Sequence, residues 1–499
     1  MTRPSSKLPR NEIQRNAAIS PIDRRTGVPL GLQLYERLLM AIDTGVLAPG
    51  ARVASARTLA SELSVARGTV EAAYQRLAGE GYLLARGPAG TIVSPHLPRS
   101  PRTRRAHAPA PARWATTASK PKRLASPSQQ ALSPLPLQLG IPALDAFPRK
   151  VWARLAARRV RTTSTADLGY GDPCGEPALR QAIAAYLLMS RGVLCSADQV
   201  FITTGYCASL TLAASVLLRR GDTVWIEDPG YPPTRKVLEC GSWIAHPVPV
   251  DADGLNDAAG REKAPNARMA VVTPSHQAPL CISMTVSRRL ALLDWASRAK
   301  AWIFEDDYDG EFHYAGPTLP ALKSLDARDR VIYAGSFSKV LFPALSLGYV
   351  VVPRATAPAF ESALRAAPSR GSRLLQEAVA ELLTAGHFAR HLKKMRLLYA
   401  RRRAWLVQAL REALGERLDV DPTRGGMHLV VRIRARVGDR TLARRAQRAG
   451  FACQALSERY ATTALRRRSQ GLLMGFTNVG SPAQAQEIAG RLRDAFAIE

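Results

Sequence analysis

The stretch Gly335-Ser336-Phe337-Ser338-Lys339 directly follows the apolar run Val331-Ile332-Tyr333-Ala334, and the two together predict a buried strand that ends at a lysine. A lysine in that position can form an imine with an aldehyde cofactor, while Ser336 and Ser338 hydrogen-bond to the cofactor phosphate. The earlier run Phe304-Glu305-Asp306-Asp307-Tyr308-Asp309 predicts a carboxylate at another strand end, where it can keep a pyridine nitrogen protonated. Each run alone is equally typical of a solvated loop, but together they predict a pyridoxal phosphate pocket.

The composition restricts the class of protein. The chain has 499 residues, of which 46% are hydrophobic, and this is enough for a large packed core. Its formal net charge of +30 predicts an anionic partner, and nucleic acid is the leading candidate. A biased, arginine-rich composition without any such partner is the alternative explanation.

The sequence predicts neither secretion nor membrane insertion. Residues 1–16 lack the apolar segment of a signal peptide, and no apolar run approaches membrane-spanning length. The six cysteines are scattered without paired spacing, so we expect neither a metal site nor a disulfide framework. The expected location is a reducing cytoplasm.

The composition changes sharply between Ser94 and Pro136. Proline, serine, alanine and arginine dominate this segment, and it contains no acidic residue. Such a composition is typical of a cationic linker without a packed core. The linker either lies along DNA phosphates or is a solvated tether.

Before the linker, the pattern predicts a helix-turn-helix followed by a small β wing. Apolar spacing indicates a helix over 32–43, and a serine cap opens a second, short helix over 55–63. A turn over 64–69 leads into a third helix. Two short strand candidates, 81–84 and 90–93, are joined by a loop of the size of a DNA-binding wing.

This segment resembles the winged helix of the GntR regulators. The resemblance is carried by Gly45-Val46-Leu47-Ala48-Pro49-Gly50, Ser55-Ala56-Arg57-Thr58-Leu59-Ala60, Arg67-Gly68-Thr69-Val70, Tyr74-Gln75-Arg76-Leu77 and Glu80-Gly81-Tyr82. It implies that Arg57, Arg67 and Thr69 lie at the starts of the second and recognition helices and contact double-stranded DNA. It also implies that Gly90 shapes the tip of the wing. Simple surface solvation is the alternative for the arginines.

After the linker, strand-like runs alternate with helical ones, which predicts a parallel sheet with crossover helices. The strand candidates are 200–203, 223–227, 270–273, 301–305, 331–334 and 348–352. A smaller C-terminal part from about Pro353 shows long helices and two further strand candidates, 428–433 and 472–476.

Two turns in this region predict cofactor contacts. Thr203-Thr204-Gly205-Tyr206-Cys207 ends one strand and opens an apolar helix, so the amides of Gly205 and Tyr206 are expected to bind the phosphate. Tyr231 follows the next strand and is expected to stack on the pyridine ring. Packing of Tyr231 in the core or in a turn is the alternative.

Nearly the whole chain resembles the MocR/GabR subfamily, in which a GntR winged helix is fused to a fold-type I aminotransferase-like domain. After the linker, the resemblance rests on Tyr170-Gly171-Asp172-Pro173 with Gly175 and Leu179-Arg180, Asp228-Pro229-Gly230-Tyr231, Thr273-Pro274-Ser275-His276-Gln277, Glu305-Asp306-Asp307-Tyr308-Asp309, Ser336-Phe337-Ser338-Lys339, and His391 to Arg396 with Tyr399. The resemblance implies an internal aldimine at Lys339, a pyridine-nitrogen contact from Asp306 and a phenolic-oxygen contact from Tyr308. It also implies a head-to-tail homodimer.

Some positions depart from the subfamily pattern near the cofactor. Ser346 stands where an arginine usually binds the phosphate, and Cys207 stands where a glutamine is expected. Ala278-Pro279-Leu280-Cys281 replaces tyrosine-proline-threonine-glycine. The strand 472–476 contains no arginine for an effector carboxylate, although Arg466-Arg467-Arg468 precedes it.

The leading hypothesis is a transcriptional regulator with a tail (1–20), a winged helix (21–94), a linker (95–135) and an aminotransferase-like domain (136–499) with a smaller C-terminal α/β subdomain. It would bind DNA and sense a small amine, an amino acid or pyridoxal phosphate itself. A working aminotransferase with a DNA-binding appendage is the second hypothesis. A cofactor-free dimerisation module is the third.

Overall fold

The chain is described by a computed structural model, which divides it into two compact units, Met1–Leu124 and Ala125–Glu499. The residues that it describes are 28–87, 90–95, 97, 134–314, 320–367, 371–421, 425–434 and 437–496. The predicted tail and almost all of the predicted linker therefore lie outside the described residues.

The described residues of the first unit form three helices and one hairpin. These are α1 (Leu30–Asp43), α2 (Ala56–Glu62), α3 (Arg67–Gly79), β1 (Leu83–Ala85) and β2 (Thr91–Val93). The predicted serine cap of the second helix is confirmed, because Ser55 Oγ accepts a hydrogen bond from the Thr58 N–H at 3.1 Å. The two strands are antiparallel, with Leu83 opposite Val93. This is the predicted helix-turn-helix with a wing.

The apolar faces of these elements form one core. Its fully buried members include Leu34 on the first helix, Leu59 on the second, and Val70 and Leu77 on the third. This packing explains the apolar spacing from which the first helix was predicted, because one stripe of each helix must pack against the others.

The second unit is built on an eight-stranded sheet. Its strands are β3 (Val200–Thr203), β4 (Thr223–Asp228), β5 (Ile244–Asp251), β6 (Gly254–Leu255), β7 (Met269–Val272), β8 (Trp302–Asp307), β9 (Val331–Ser336) and β10 (Gly348–Val351). Their order is β3-β10-β9-β8-β7-β4-β5-β6. The helices before and between them are α4 (Arg149–Thr162), α5 (Pro177–Arg191), α6 (Tyr206–Leu217), α7 (Pro232–Cys240), α8 (Asp257–Lys263) and α9 (Val286–Arg298).

The sheet is mixed rather than purely parallel. Strands β5, β4, β7, β8 and β9 are parallel to one another. Strand β10 is antiparallel to both β9 and β3, and the short β6 is antiparallel to β5. The connection from β9 to β10, residues 337–347, is too short for a crossover helix, and only an antiparallel pairing can be made through it. The prediction of a parallel sheet was wrong at these strands.

The C-terminal part contains long helices and a four-stranded antiparallel sheet of order β11-β12-β14-β13. Its elements are α10 (Ala357–Ala366), α11 (Arg373–Thr384), α12 (His387–Leu414), β11 (Leu418–Val420), β12 (His428–Ile433), α13 (Asp439–Arg448), β13 (Gln454–Ala455), α14 (Thr463–Arg468), β14 (Leu472–Gly475) and α15 (Pro482–Phe496). Both predicted strands of this part are present. In the described ranges, no helix is long and apolar enough to span a membrane.

Candidate functional site

The carboxyl ends of several parallel strands meet at one edge of the large sheet. Strand β4 ends at Asp228, Thr273 follows β7, and Asp306 lies near the end of β8. Strand β9 pairs with β8 and leads directly to Lys339. Side chains from distant parts of the sequence therefore converge where an open α/β sheet usually binds its ligand.

Lys339 is half-buried at this edge, and its Nζ donates a hydrogen bond to the Gly140 carbonyl oxygen at 2.8 Å. Burial lowers the pKa of the lysine, and the nearby Asp306 and Asp309 carboxylates oppose that shift. A lower pKa increases the fraction of neutral amine, which is the form that attacks a carbonyl. Gly140 has φ +69°, and a Cβ at this position would lie 2.7 Å from the Lys339 Nζ, so a residue with a side chain would be strained there and would displace the amine.

Asp306 is 7% exposed. Burial raises its pKa well above the usual range, and the carboxylates of Asp307 and Asp309 raise it further, while Lys339 lowers it. The ionised form of such a buried carboxylate is strongly stabilised by a nearby cation. A protonated pyridine nitrogen is a cation of this kind.

Tyr308 provides the test of whether pyridoxal phosphate fits. Its hydroxyl is fully buried and has no hydrogen-bond partner within the described part of the chain. Burial raises the pKa of this hydroxyl well above 10, and Asp309 raises it further, so the group stays protonated and can donate. A buried donor without an acceptor is costly, and the phenolic oxygen of the cofactor would supply the acceptor.

The start of α6 has the geometry expected of a phosphate cradle. Gly205 precedes the helix with φ +121°, a conformation that L-residues with a side chain rarely adopt. Within the described ranges no side chain caps the first turn, so its amides remain available to an anion. The strand β10 runs close by, because a Cβ on Gly348 would lie 2.9 Å from the Gly205 Cα.

Tyr206 and Tyr231, the former predicted for its amide and the latter for its ring, differ in their surroundings. The Tyr206 hydroxyl is hydrogen-bonded to the Thr234 hydroxyl at 2.5 Å, and its ring meets Tyr231 edge-on at 5.5 Å. The Tyr231 side chain is 44% exposed, which argues against simple core packing and leaves its ring accessible. Tyr206 therefore supports Tyr231 from one edge.

A cavity opens beside these residues. Its lining includes Tyr206, Tyr231 and Asp306 of the predicted set, together with Thr273 and Arg459. Lys339, Tyr308, Gly205, Ser336 and Ser338 are not part of that lining. The Ser338 N–H donates to Ser336 Oγ at 3.2 Å just beyond β9, and both residues are half-buried.

Sequence reasoning missed the buried polar contacts beneath the cavity. The Glu227 carboxylate accepts hydrogen bonds from the Thr273 N–H at 3.1 Å, the Thr273 hydroxyl at 2.6 Å and Gln277 Nε2 at 3.1 Å. Burial raises the Glu227 pKa to about 7, and these donors oppose the shift. No local pattern could reveal such contacts, although His276-Gln277 was already noted as a motif.

The departure at Cys281 has a structural consequence. Cys281 has φ +56°, a conformation for which glycine is better suited, and its Sγ lies 3.2 Å from His428 Nε2. Burial raises the pKa of the thiol well above 9, and Asp309 raises it further. The thiol therefore stays protonated and unreactive despite its histidine neighbour.

Ser346 stands where the subfamily usually has an arginine that binds the cofactor phosphate, and its replacement by arginine is a direct test of that difference. Ser346 is exposed with φ +47°, two residues before Gly348 and therefore close to the start of α6. We expect Ser346→Arg to tighten pyridoxal phosphate binding about tenfold or more, because a charge-assisted phosphate contact contributes roughly 1.5–3 kcal/mol. Titration of the apoprotein with cofactor measures this.

Ser346→Gln is the matched control, since it has the same backbone conformation and a long side chain but no charge. Equal dissociation constants for the serine and arginine forms would mean that another group already neutralises the phosphate.

In the first unit, the predicted DNA-contact residues lie at helix starts and at the wing. Arg57 is exposed in the first turn of α2, and Arg67 is the exposed first residue of α3. Arg67 pairs with Glu71 at 2.8 Å, but such an exposed ion pair contributes little and does not prevent a phosphate contact. Thr69 is half-buried in α3, and Gly90 has φ +89° before β2.

Comparison with known proteins extends this description. Residues 30–93 match the family described as bacterial regulatory proteins, gntR family, and residues 136–473 match aminotransferase class I and II. The chain is 38% identical to the probable rhizopine catabolism regulatory protein MocR of Rhizobium meliloti over 95% of each protein. It is 32% identical to the HTH-type pyridoxine biosynthesis transcriptional regulator PdxR of Corynebacterium glutamicum, over 81% of this chain and 83% of that protein.

Among solved structures, the kynurenine aminotransferase of Pyrococcus horikoshii in complex with PMP is similar, with a TM-score of 0.65 and 26% identity. The similarity covers 73% of this chain and 91% of that chain. These findings confirm the predicted fold class, a winged helix followed by a fold-type I aminotransferase-like domain, and pyridoxal phosphate as its cofactor.

Proposed function

Because the chain belongs to the MocR family of GntR-type transcriptional regulators, which bind DNA and carry a pyridoxal phosphate domain, we propose that it regulates transcription by sensing an amino compound at Lys339. The cofactor itself is the alternative signal. The observation that carries the proposal is that Lys339 interacts electrostatically with Asp306, and that the buried Tyr308 hydroxyl has no hydrogen-bond partner among the described residues, in a chain with a GntR winged helix.

Each of the predicted site residues would make a different contact with the cofactor. When bound, pyridoxal phosphate supplies an aldehyde that reacts with amines. Lys339 Nζ would hold this aldehyde, Asp306 would keep the ring nitrogen protonated, and Tyr308 would donate a proton to the phenolic oxygen in a hydrogen bond. The amides of Gly205 and Tyr206 would bind the phosphate with Ser336 and Ser338, and Tyr231 would stack on the ring.

We also propose the arrangement around this sensor. The tail is 1–20, the winged helix is 21–94, the linker is 95–135 and the sensing domain is 136–499. The protein acts in the cytoplasm as a head-to-tail homodimer, for which the support is the resemblance to the MocR/GabR subfamily. Its mass in solution by sedimentation tests the dimer.

The decisive experiment combines two measurements on the full chain. Visible spectra with and without candidate amines and amino acids report on binding at Lys339, and mobility shifts on DNA from its own promoter region report on regulation. A compound that changes both supports the proposal. A compound that changes the spectrum and leaves DNA binding unaltered in affinity and geometry contradicts it.

A working aminotransferase is the second candidate function, because the lysine, the aspartate and the tyrosine that such chemistry needs are all present. Sustained turnover of an amino donor with a keto acid would support it. A single stoichiometric reaction without turnover would support sensing.

DNA binding is expected to weaken steeply with salt. Two winged helices that neutralise many phosphates release counterions, so log affinity should fall linearly with log salt concentration, by roughly 0.9 for each phosphate contacted. Arg57→Gln and Arg67→Gln should each make this slope shallower, by about one for each phosphate contact that is lost in each chain of the dimer. Fluorescence anisotropy on an operator fragment measures the slope.

Arg298→Gln is the control, because Arg298 is an exposed arginine of α9 outside the winged helix. A slope near zero, or one that neither winged-helix substitution alters, would contradict phosphate contacts by these arginines.

A further inference from the structure

Arg459 is a cationic side chain of the cavity that the proposed function leaves unused. It ends a short 3-10 helix, Leu456–Arg459, and lines the same cavity as Tyr231 and Asp306. It is half-buried, and its Nη2 donates to the side-chain oxygen of Gln454. Among the described residues, no carboxylate lies within ion-pair distance of its guanidinium, and the adjacent Glu458 instead pairs with Arg440 at 3.6 Å.

The segment that carries Arg459 is fixed to the large sheet. Asp228, at the end of β4, accepts hydrogen bonds from the Ala461 N–H at 2.6 Å and the Thr462 N–H at 3.1 Å. The Gly230 N–H donates to the Arg459 carbonyl oxygen at 3.3 Å. These contacts hold the arginine next to Tyr231, so its place at the cavity does not depend on a mobile loop.

The electrostatics favour an anion beside Arg459. Burial lowers the pKa of its guanidinium, which means that the charged form has lost solvation without full compensation. Four acidic residues line the cavity. Glu227 already accepts hydrogen bonds from Thr273 and Gln277, and Glu458 pairs with Arg440. Asp306 is assigned to the cofactor ring nitrogen by the proposed function, and Glu239 is exposed. A planar carboxylate would match the guanidinium and restore the lost interactions.

No other described arginine is available on the strand where the subfamily resemblance implies one. Strand β14 (Leu472–Gly475) is buried throughout and consists of leucine, methionine and glycine. The side chains of Arg466, Arg467 and Arg468 lie outside the described residues.

We propose that Arg459 binds the carboxylate of the sensed compound, so the effector is an amino acid rather than a simple amine. This rests on the proposed function, since the amino group of the same compound would react at the Lys339 site. The cofactor phosphate is the other possible source of an anion, but the predicted phosphate cradle at the start of α6 does not include Arg459.

The test uses pairs of compounds that differ only in the carboxylate, namely glycine, 3-aminopropanoate and 4-aminobutanoate, each beside methylamine, ethylamine or propylamine. The holoprotein is titrated with each compound and followed by its visible spectrum, for wild type, Arg459→Gln and Arg459→Lys. Cofactor affinity is measured separately on each apoprotein. Arg298→Gln, which removes an exposed arginine of α9 that does not line the cavity, is the matched control.

In wild type we expect at least one amino acid to bind tenfold or more tightly than its paired amine. Arg459→Gln should lose that preference through a roughly tenfold or larger fall in amino acid affinity, with the amine unchanged, and Arg459→Lys should retain part of it. The control should behave as wild type, and cofactor affinity should be unchanged.

Three results would overturn the proposal. The first is an unchanged amino acid preference in Arg459→Gln, and the second is a wild type that binds amines and amino acids equally. The third is a loss of cofactor affinity in Arg459→Gln, which would assign the arginine to the phosphate. If no amine alters the wild-type spectrum, the proposed sensing function itself fails.

Discussion

Replacement of Lys339 by alanine is expected to abolish the response of DNA binding to the effector while DNA affinity itself changes by no more than about twofold. The substitution removes the amine that lies beside Asp306 and donates to the Gly140 carbonyl, and leaves the first unit unaltered. A ligand shifts an equilibrium only through its different affinity for the two states. Without exchange at Lys339, that difference is lost.

The measurement is a promoter mobility shift with and without effector, read beside visible spectra of both proteins. Lys263→Ala is the matched control, because Lys263 is an exposed residue at the end of α8. If Lys339→Ala responded to the effector as wild type does, covalent exchange would be excluded as the switch and non-covalent recognition would remain.

Replacement of Arg191 by methionine is expected to lower the free energy of unfolding of the second unit by about 3–5 kcal/mol. The Arg191 side chain is 2% exposed, and its Nε lies 2.7 Å from Asp307 Oδ2. Its Nη2 also donates to the Ser275 hydroxyl at 2.6 Å. Methionine would fill the space but leave Asp307 as a buried carboxylate without its cation, with the Tyr333 hydroxyl still donating to it at 2.7 Å.

Urea unfolding followed by tryptophan fluorescence measures this, since all the described tryptophans lie in the second unit. Arg298→Met is the control, because the Arg298–Asp294 pair is an exposed i,i+4 pair whose loss should cost less than about 0.5 kcal/mol. Similar losses of stability in the two variants would show that the buried pair contributes no more than a surface pair does.

The sequence by itself determined the local elements and the position of the lysine along the chain. Apolar periodicity and a serine cap located the helices of the winged helix, and apolar runs located the strands on either side of Lys339. These features are readable because burial of one face imposes a repeat of 3.6 or 2 residues on neighbouring positions. The sequence did not reveal β5, whose Pro247 and Pro249 are unusual in a strand.

Only the tertiary structure decided which distant groups meet. The partner of Lys339 is the carbonyl of Gly140, 199 residues away, and the Asp228 carboxylate fixes the segment that carries Arg459. Periodicity records which face of an element is buried, but not which other element covers it, so pairings between segments far apart in the chain appear only when the fold brings them together.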